Sequence, residues 1–254
     1  MKSIVKLFIK NYLLILIIIS VSAGLSFAQE SGQEVSNSNL KIFVQYRLAK
    51  ADLLKNDNIQ VEVAGNKIIL SGEVPTIFDK NQAEAEAHSV DENYDVVNNI
   101  IVQSDNVADS ILTKQILNKI ESNVFYGVFD WFTVKSNNGV VTLDGWAHLP
   151  WLKNQYQTEV EKVPGVVKVI NNIQNTFGPG ELGFRAARLI YNDPMFWGMQ
   201  YFSNPPIHII VNNGKVFLFG NVNSEVQKSW AGNIVTFHTD AFSVENDLMV
   251  NNQY

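Results

Sequence analysis

The side chains best suited to acid–base or metal chemistry are four histidines, His88, His148, His208 and His238, set among 25 acidic residues. No two of them have the His-x-x-x-His spacing that presents a pair of imidazoles to a metal from one helical face. No serine, histidine and aspartate order themselves into a nucleophilic triad. Cysteine is absent, which removes thiol nucleophiles, thiolate metal sites, disulfides and a lipidated N-terminal cysteine. The glycines fall in neither a Gly-x-Gly-x-x-Gly nor a Gly-Lys-Ser/Thr run, so no phosphate cradle is written here. The expectation is a non-enzymatic protein with no cofactor, no metal and no small-molecule substrate.

The residues that do stand out are aromatic. One cluster holds Phe125, Tyr126, Phe129 and Trp131, with Trp146 and Trp151 further on. A second holds Met195, Phe196, Trp197, Met199, Tyr201 and Phe202, just before Pro205-Pro206. Tryptophan and tyrosine suit a boundary that is half apolar and half wet. These segments therefore read in two ways. They form a surface for a membrane or an apolar partner, or they glue small domains together, the more economical reading because large exposed apolar patches are rare.

The elements that position these residues come from an internal repeat. Lys67–Gly72 is KIILSG, Val140–Gly145 is VVTLDG and Lys215–Gly220 is KVFLFG. Twenty-six residues after each of Gly72, Gly145 and Gly220 stands an asparagine, Asn98, Asn171 or Asn246. Eleven residues before each glycine stands an aliphatic, Val61, Val134 or Ile209. Agreement at so many fixed offsets marks three copies of one unit.

Each copy opens with a helical stripe: Leu40, Val44, Leu48 and Ala51; then Leu112, Ile116 and Ile120; then Leu182, Ala186 and Leu189 or Ile190. An alternating strand follows, then a Gly65-Asn66, Asn138-Gly139 or Asn213-Gly214 turn and a second alternating strand, the pattern of a β-hairpin. The glycine closing each hairpin is expected to bend the chain off the sheet. A second helix is marked by Ala83 and Ala87, by Tyr156 and Val160, and by Ala231 and Val235. The third strands are expected near Val96–Val102, Val166–Ile173 and Phe242–Val250. The fold class is α+β: three tandem αββαβ modules, each with two helices on one face of a three-stranded mixed sheet. The expected extents are 38–104, 105–177 and 178–254. Units this small barely offset their own ordering cost, so they are expected to pack on one another. The repeated asparagines share parity with core positions, and hydrogen bonding to nearby backbone is the simpler reading of them over a ligand contact.

Residues 1–28 read as a secretory signal. Lys2, Lys6 and Lys10 precede an apolar run from Tyr12 to Val21, and small residues at Ser26 and Ala28 set cleavage after Ala28. An uncleaved anchor is the rival reading, though the apolar run is about half the ~20 residues a span needs. Removal of the signal leaves 16 basic against 25 acidic residues, a net charge of −9. That sign argues against nucleic acid as a partner and against a general pull toward anionic lipid.

Hydrophobic–(Asn/Asp)-Gly-x-Val-x-Leu-x-Gly, then a helix ending Pro-Gly-Val, then Val-x-Asn-x-Leu resembles the BON domain (bacterial OsmY and nodulation). Copy two carries it best, with NNGVVTLDG at Asn137–Gly145 and VPGVVKVINNI at Val163–Ile173. Copies one and three replace the Pro-Gly by Asp91-Glu92 and Thr239-Asp240, so those helix ends must differ. The resemblance implies a periplasmic or membrane-associated envelope protein, expressed in envelope or osmotic stress, whose partner is a phospholipid surface or an envelope protein. A chaperone-like holdase or scaffold is the alternative. It implies no catalytic residue. Residues Phe125, Tyr126, Phe129, Phe196, Trp197, Met199, Tyr201 and Phe202 are the candidate contacts; Gly72, Gly145, Gly220 and the three asparagines are the structural signature.

Overall fold

A computed structural model of the chain describes residues 37–54, 58–103, 107–202 and 204–251. The signal segment, 1–28, lies outside the described residues. The chain divides into two compact units, residues 1–103 and 104–254, taken here one at a time.

The first unit holds one module. Helix α1 is Asn37–Lys50, strands β1 and β2 are Ile59–Ala64 and Lys67–Val74, helix α2 is Ile77–His88, and β3 is Asp95–Val102. The sheet order is β1-β2-β3, antiparallel then parallel. Leu40, Val44 and Leu48 of α1 and Ala83 and Ala87 of α2 join Ile59, Val61, Ile68, Leu70 and Ile100 in one core. The strand residues in that core share one parity, so both helices cover one face of the sheet. Helix α2 begins where the Thr76 side chain accepts the Asp79 amide, an N-cap that satisfies one orphan donor.

The second unit holds two further copies. One comprises α3 (Asp109–Glu121), β4 (Trp131–Asn137), β5 (Val140–Ala147), α4 (Leu152–Glu161) and β6 (Lys168–Asn175). The other comprises α5 (Gly180–Tyr191), a 3₁₀ turn Met199–Tyr201, β7 (Ile207–Asn212), β8 (Lys215–Val222), α6 (Glu225–His238), β9 (Ser243–Asn246) and β10 (Met249–Val250). The register repeats to the residue. Val61 faces Leu70, Val134 faces Leu143 and Ile209 faces Leu218; those three leucines in turn face Asn98, Asn171 and Asn246. Val61, Val134 and Ile209 occupy equivalent buried places. The first helix of copy three buries Ile190 and leaves Leu189 half-buried.

Three local features depart from the sequence expectation. First, the chain does not leave the sheet at Gly72, Gly145 and Gly220, because β2, β5 and β8 each run two residues further. The glycines have φ of +121°, +147° and +109°, and a Cβ there would be driven into the carbonyl oxygen of Asn58, Trp131 or Pro206 at the start of the neighbouring strand. Close backbone approach, not a bend, excludes a side chain. Second, the last strand of copy three is interrupted at Asp247 and Leu248, giving β9 and β10, both parallel to β8. Third, Lys168 rather than Val166 begins the last strand of copy two, after Gly165 turns the chain with φ +91°.

The sheets of copies two and three meet over the faces their helices leave uncovered. Trp131 stacks on Phe219 with centroids 5.6 Å apart, and Trp146 on Phe217 at 6.0 Å. This explains why β7 buries both parities, Ile207 and Ile209 on one side and His208 and Ile210 on the other.

Candidate functional site

The repeated asparagines do the same thing in every copy. The Nδ2 of Asn98, Asn171 or Asn246 donates to the carbonyl of Lys80, Lys153 or Lys228 on the second helix, at 2.9, 3.0 and 2.7 Å. Each Oδ1 accepts the amide two residues on, from Ile100, Ile173 or Leu248. The side chain thus rivets the last strand to the helix above it. In copies one and two Nδ2 also donates to a side chain one helical turn along, Glu84 or Gln157. In copy three that place is Gly232, where a Cβ would stand 2.7 Å from Asn246 Nδ2.

The candidate contact residues divide. Phe196 is fully buried in the core of copy three with Ala186, Ile207 and Ala231, and Tyr126 is buried at the seam between copies two and three. Phe196 does not reach solvent and Tyr126 barely does, so neither offers a contact surface. Phe129 packs edge-on against Phe184 of α5, centroids 5.2 Å apart, and joins the core of copy three; half-buried Met199 does the same. Trp197, Tyr201 and Phe202 are 73%, 77% and 61% exposed. Phe125 is exposed too, edge-on to Trp151 at 4.8 Å. The aromatic insertions are therefore glue in part and surface in part: the copy-two segment mostly binds copy three, and the copy-three segment mostly faces water.

Beside the exposed segment, Met195 lines a groove of about 370 Å³ with Glu225, Val226, Ser229, Trp230 and Asn233 of α6. The indole N–H of Trp230 donates to Asp193 at 3.0 Å, which fixes the ring against the loop.

A second arrangement, not singled out by the sequence, lies at the seam. Asp130 is fully buried and accepts from the Gly127 amide at 3.1 Å, the His148 amide at 2.9 Å and the His148 ring, whose Nδ1 lies 2.9 and 3.0 Å from its two oxygens. Buried His208 places Nδ1 3.1 Å from the Gly127 carbonyl. Burial pushes the His208 imidazole below its ordinary range, against the Gly127 and Asp130 backbone carbonyls and the Asp130 charge. Burial likewise raises the Tyr126 and Tyr156 phenols far above theirs, with Asp130 adding to both. The Tyr156 hydroxyl is buried with no hydrogen-bond partner among the described residues. His148 lies 18 residues from Asp130 and His208 81 residues from Gly127, and each is an ordinary polar residue in its own segment. Only folding brings them together. A carboxylate that orients an imidazole could serve proton transfer, but it equally anchors a loop. Among the described residues no group of three His, Cys, Asp or Glu could hold a metal ion.

Comparison with known proteins bears on all three copies. Among curated proteins none matches the sequence. Two solved structures of CdsD, a structural protein of the type III secretion system of Chlamydia trachomatis, align with the chain. One, the C-terminal domain, is 12% identical over 86% of this chain and 99% of its own, with a TM-score of 0.24. The other is 13% identical over 83% of this chain and 92% of its own, also with a TM-score of 0.24. The BON domain model matches residues 38–104, 108–175 and 197–252, each containing the hairpin, its close-approach glycine and the riveting asparagine. The family is generally non-catalytic, and its members are often periplasmic or envelope-associated. With three matches spanning most of its length, this chain belongs to the BON domain family.

Proposed function

We propose that the protein is an exported, non-enzymatic binding protein of the cell envelope that engages phospholipid surfaces through the loop before β7 in its third copy, in envelope or osmotic stress. The observation that carries this reading is the exposure of Trp197, Tyr201 and Phe202 within six residues. Aromatic rings in that state favour the headgroup layer, where their apolar bodies leave water and their polar edges stay wet. BON domains occur in phospholipid-binding envelope stress proteins, which supports the same ligand class. Among the described residues no helix is long and apolar enough to cross a membrane, so attachment by this route is peripheral. With a net charge of −9 once the signal is removed, contact rests on apolar insertion and not on bulk attraction to anionic lipid.

Co-sedimentation of the mature protein with zwitterionic and anionic vesicles tests the reading. Binding should survive raised salt, and the combined substitution W197A/Y201A/F202A should reduce it at least tenfold. Failure to bind either vesicle at low salt overturns it. The Met195–Val226–Trp230 groove favours a second reading, a holdase or scaffold that receives an apolar segment of a protein partner. Suppression of client aggregation, lost on Trp230→Ala and untouched by the loop triple, would select that reading.

A further inference from the structure

The faces that join copies two and three are lined with rings, and one titratable side chain stands among them. His208 is 2% exposed, its ring 5.4 Å from that of Tyr126 and 5.1 Å from that of Trp131. Its Nδ1 donates to the Gly127 carbonyl, and the next residue along, Ile209, donates its amide to the Val128 carbonyl at 2.7 Å. Two consecutive residues of edge strand β7 thus grip two consecutive carbonyls of the 127–130 loop. The loop is anchored at its far end by Asp130, held by the Gly127 amide and by both the amide and ring of His148 at the β5–α4 corner.

The groups facing His208 can be named by element. From β8 the opposite residue is Phe219, which is apolar. From the loop come the Asp130 carboxylate and Tyr126, whose phenol stays neutral. His148 reaches the cluster only through Asp130.

We propose that this contact is an acid-released latch: neutral His208 clasps the 127–130 loop of copy two onto the edge of copy three, and its protonation lets the two copies part. The driving force is the hydration an imidazolium loses at a dry seam. Burial outweighs the Gly127 and Asp130 groups that would favour the charged ring. In the parted state the imidazole takes up a proton near its ordinary value of about 6.5. Each pH unit below that favours parting by up to about tenfold, until the closed-state value is reached. Asp130 remains held by the His148 amide and ring, so the loop stays fixed to copy two while its hold on copy three fails. Parting would bare Trp131, Trp146, Phe217 and Phe219 and so enlarge the apolar surface under acid conditions.

Amide hydrogen exchange on the full chain, corrected for the intrinsic pH dependence of exchange, tests the latch. The Ile209 amide reports the seam, and the Leu218 amide, inside the same sheet, reports whether copy three is folded. Protection at Ile209 should fall by up to about fivefold between pH 6.5 and 5.5 while Leu218 holds. His208→Gln, which can still donate to Gly127 but cannot take up a proton, should keep Ile209 protected through that range. Constant Ile209 protection in the unaltered protein overturns the latch, whether or not the variant folds. So does an equal loss in His208→Gln with Leu218 intact, or a loss in which Ile209 and Leu218 fall together.

Discussion

Between the connection from first helix to first strand and the start of the second helix, the first copy has a pocket of about 250 Å³ lined by Asp52, Glu73 and Asp79 with Leu53, Val74 and Pro75. At the corresponding end, the third copy has Met195, Val226 and Trp230, with Trp197, Tyr201 and Phe202 on the same connection. Exposed large hydrophobics follow the same division: Ile101 alone in the first copy, ten in the third, among the described residues. Yet the cores beneath are interchangeable, with Leu70 and Leu218 both fully buried and both facing an asparagine that rivets the last strand to the helix. Close packing constrains the interior of each copy to one solution, whereas a surface loop answers only to what it must touch. Repetition supplies the frame, and the connection before the first strand is where the copies acquired different chemistry.

The sharpest break of this comparison lies within one loop. Phe196→Ala should cost the 104–254 unit about 3–5 kcal/mol, because it empties a fully buried ring position. Thermal unfolding measures it, and the first copy's transition should not move. Next come the rivets. Asn98→Ala, Asn171→Ala and Asn246→Ala should each cost about 1–2 kcal/mol by removing a part-buried bridge between strand and helix. If the frame is shared, denaturant titration should show the three losses as similar, with Asn246→Ala smallest because Gly232 offers its Nδ2 no second acceptor.

A third expectation separates the two units by pH. The folded-state value of His208 lies below its unfolded value, so the unfolded chain binds the proton first. The associated stability is fully present above about pH 6.5 and is lost as pH falls from there through the folded value. Melting followed from pH 7.5 to 5 should show this loss in the 104–254 unit, and His208→Gln should remove it. The smallest effect is the control: Trp197→Ala should change stability by no more than about 0.5 kcal/mol, since its side chain is largely in water. A large destabilisation there would mean that the ring belongs to the core and would undo the contrast with Phe196.

Much of the frame was legible because its signals are local. Period-two strands meeting at two-residue turns fix the hairpins, and the structure gives Asn138-Gly139 and Asn213-Gly214 positive φ at both positions. Gly65-Asn66 serves the same end with positive φ at Gly65 alone. The role of the asparagines could also be read from parity, since an amide among core aliphatics must find backbone partners. The candidate surface was legible only as a segment. Phe196 and Trp197 are adjacent and similar in type, yet one is buried and the other exposed, and no periodicity in a turn-rich loop distinguishes them.

By itself, the sequence determined the repeat, the order of elements and the residues that each copy buries, because alternation, turn chemistry and helical stripes act over a few residues. The tertiary structure alone decided which aromatic rings became glue, that the open faces of copies two and three would close on each other, and that Asp130, His148 and His208 would share one dry site. Those outcomes depend on contacts between segments far apart in the chain, such as His208 with Gly127 and Trp131 with Phe219. Their energies are set by the water that both partners lose together, and no single segment carries that quantity.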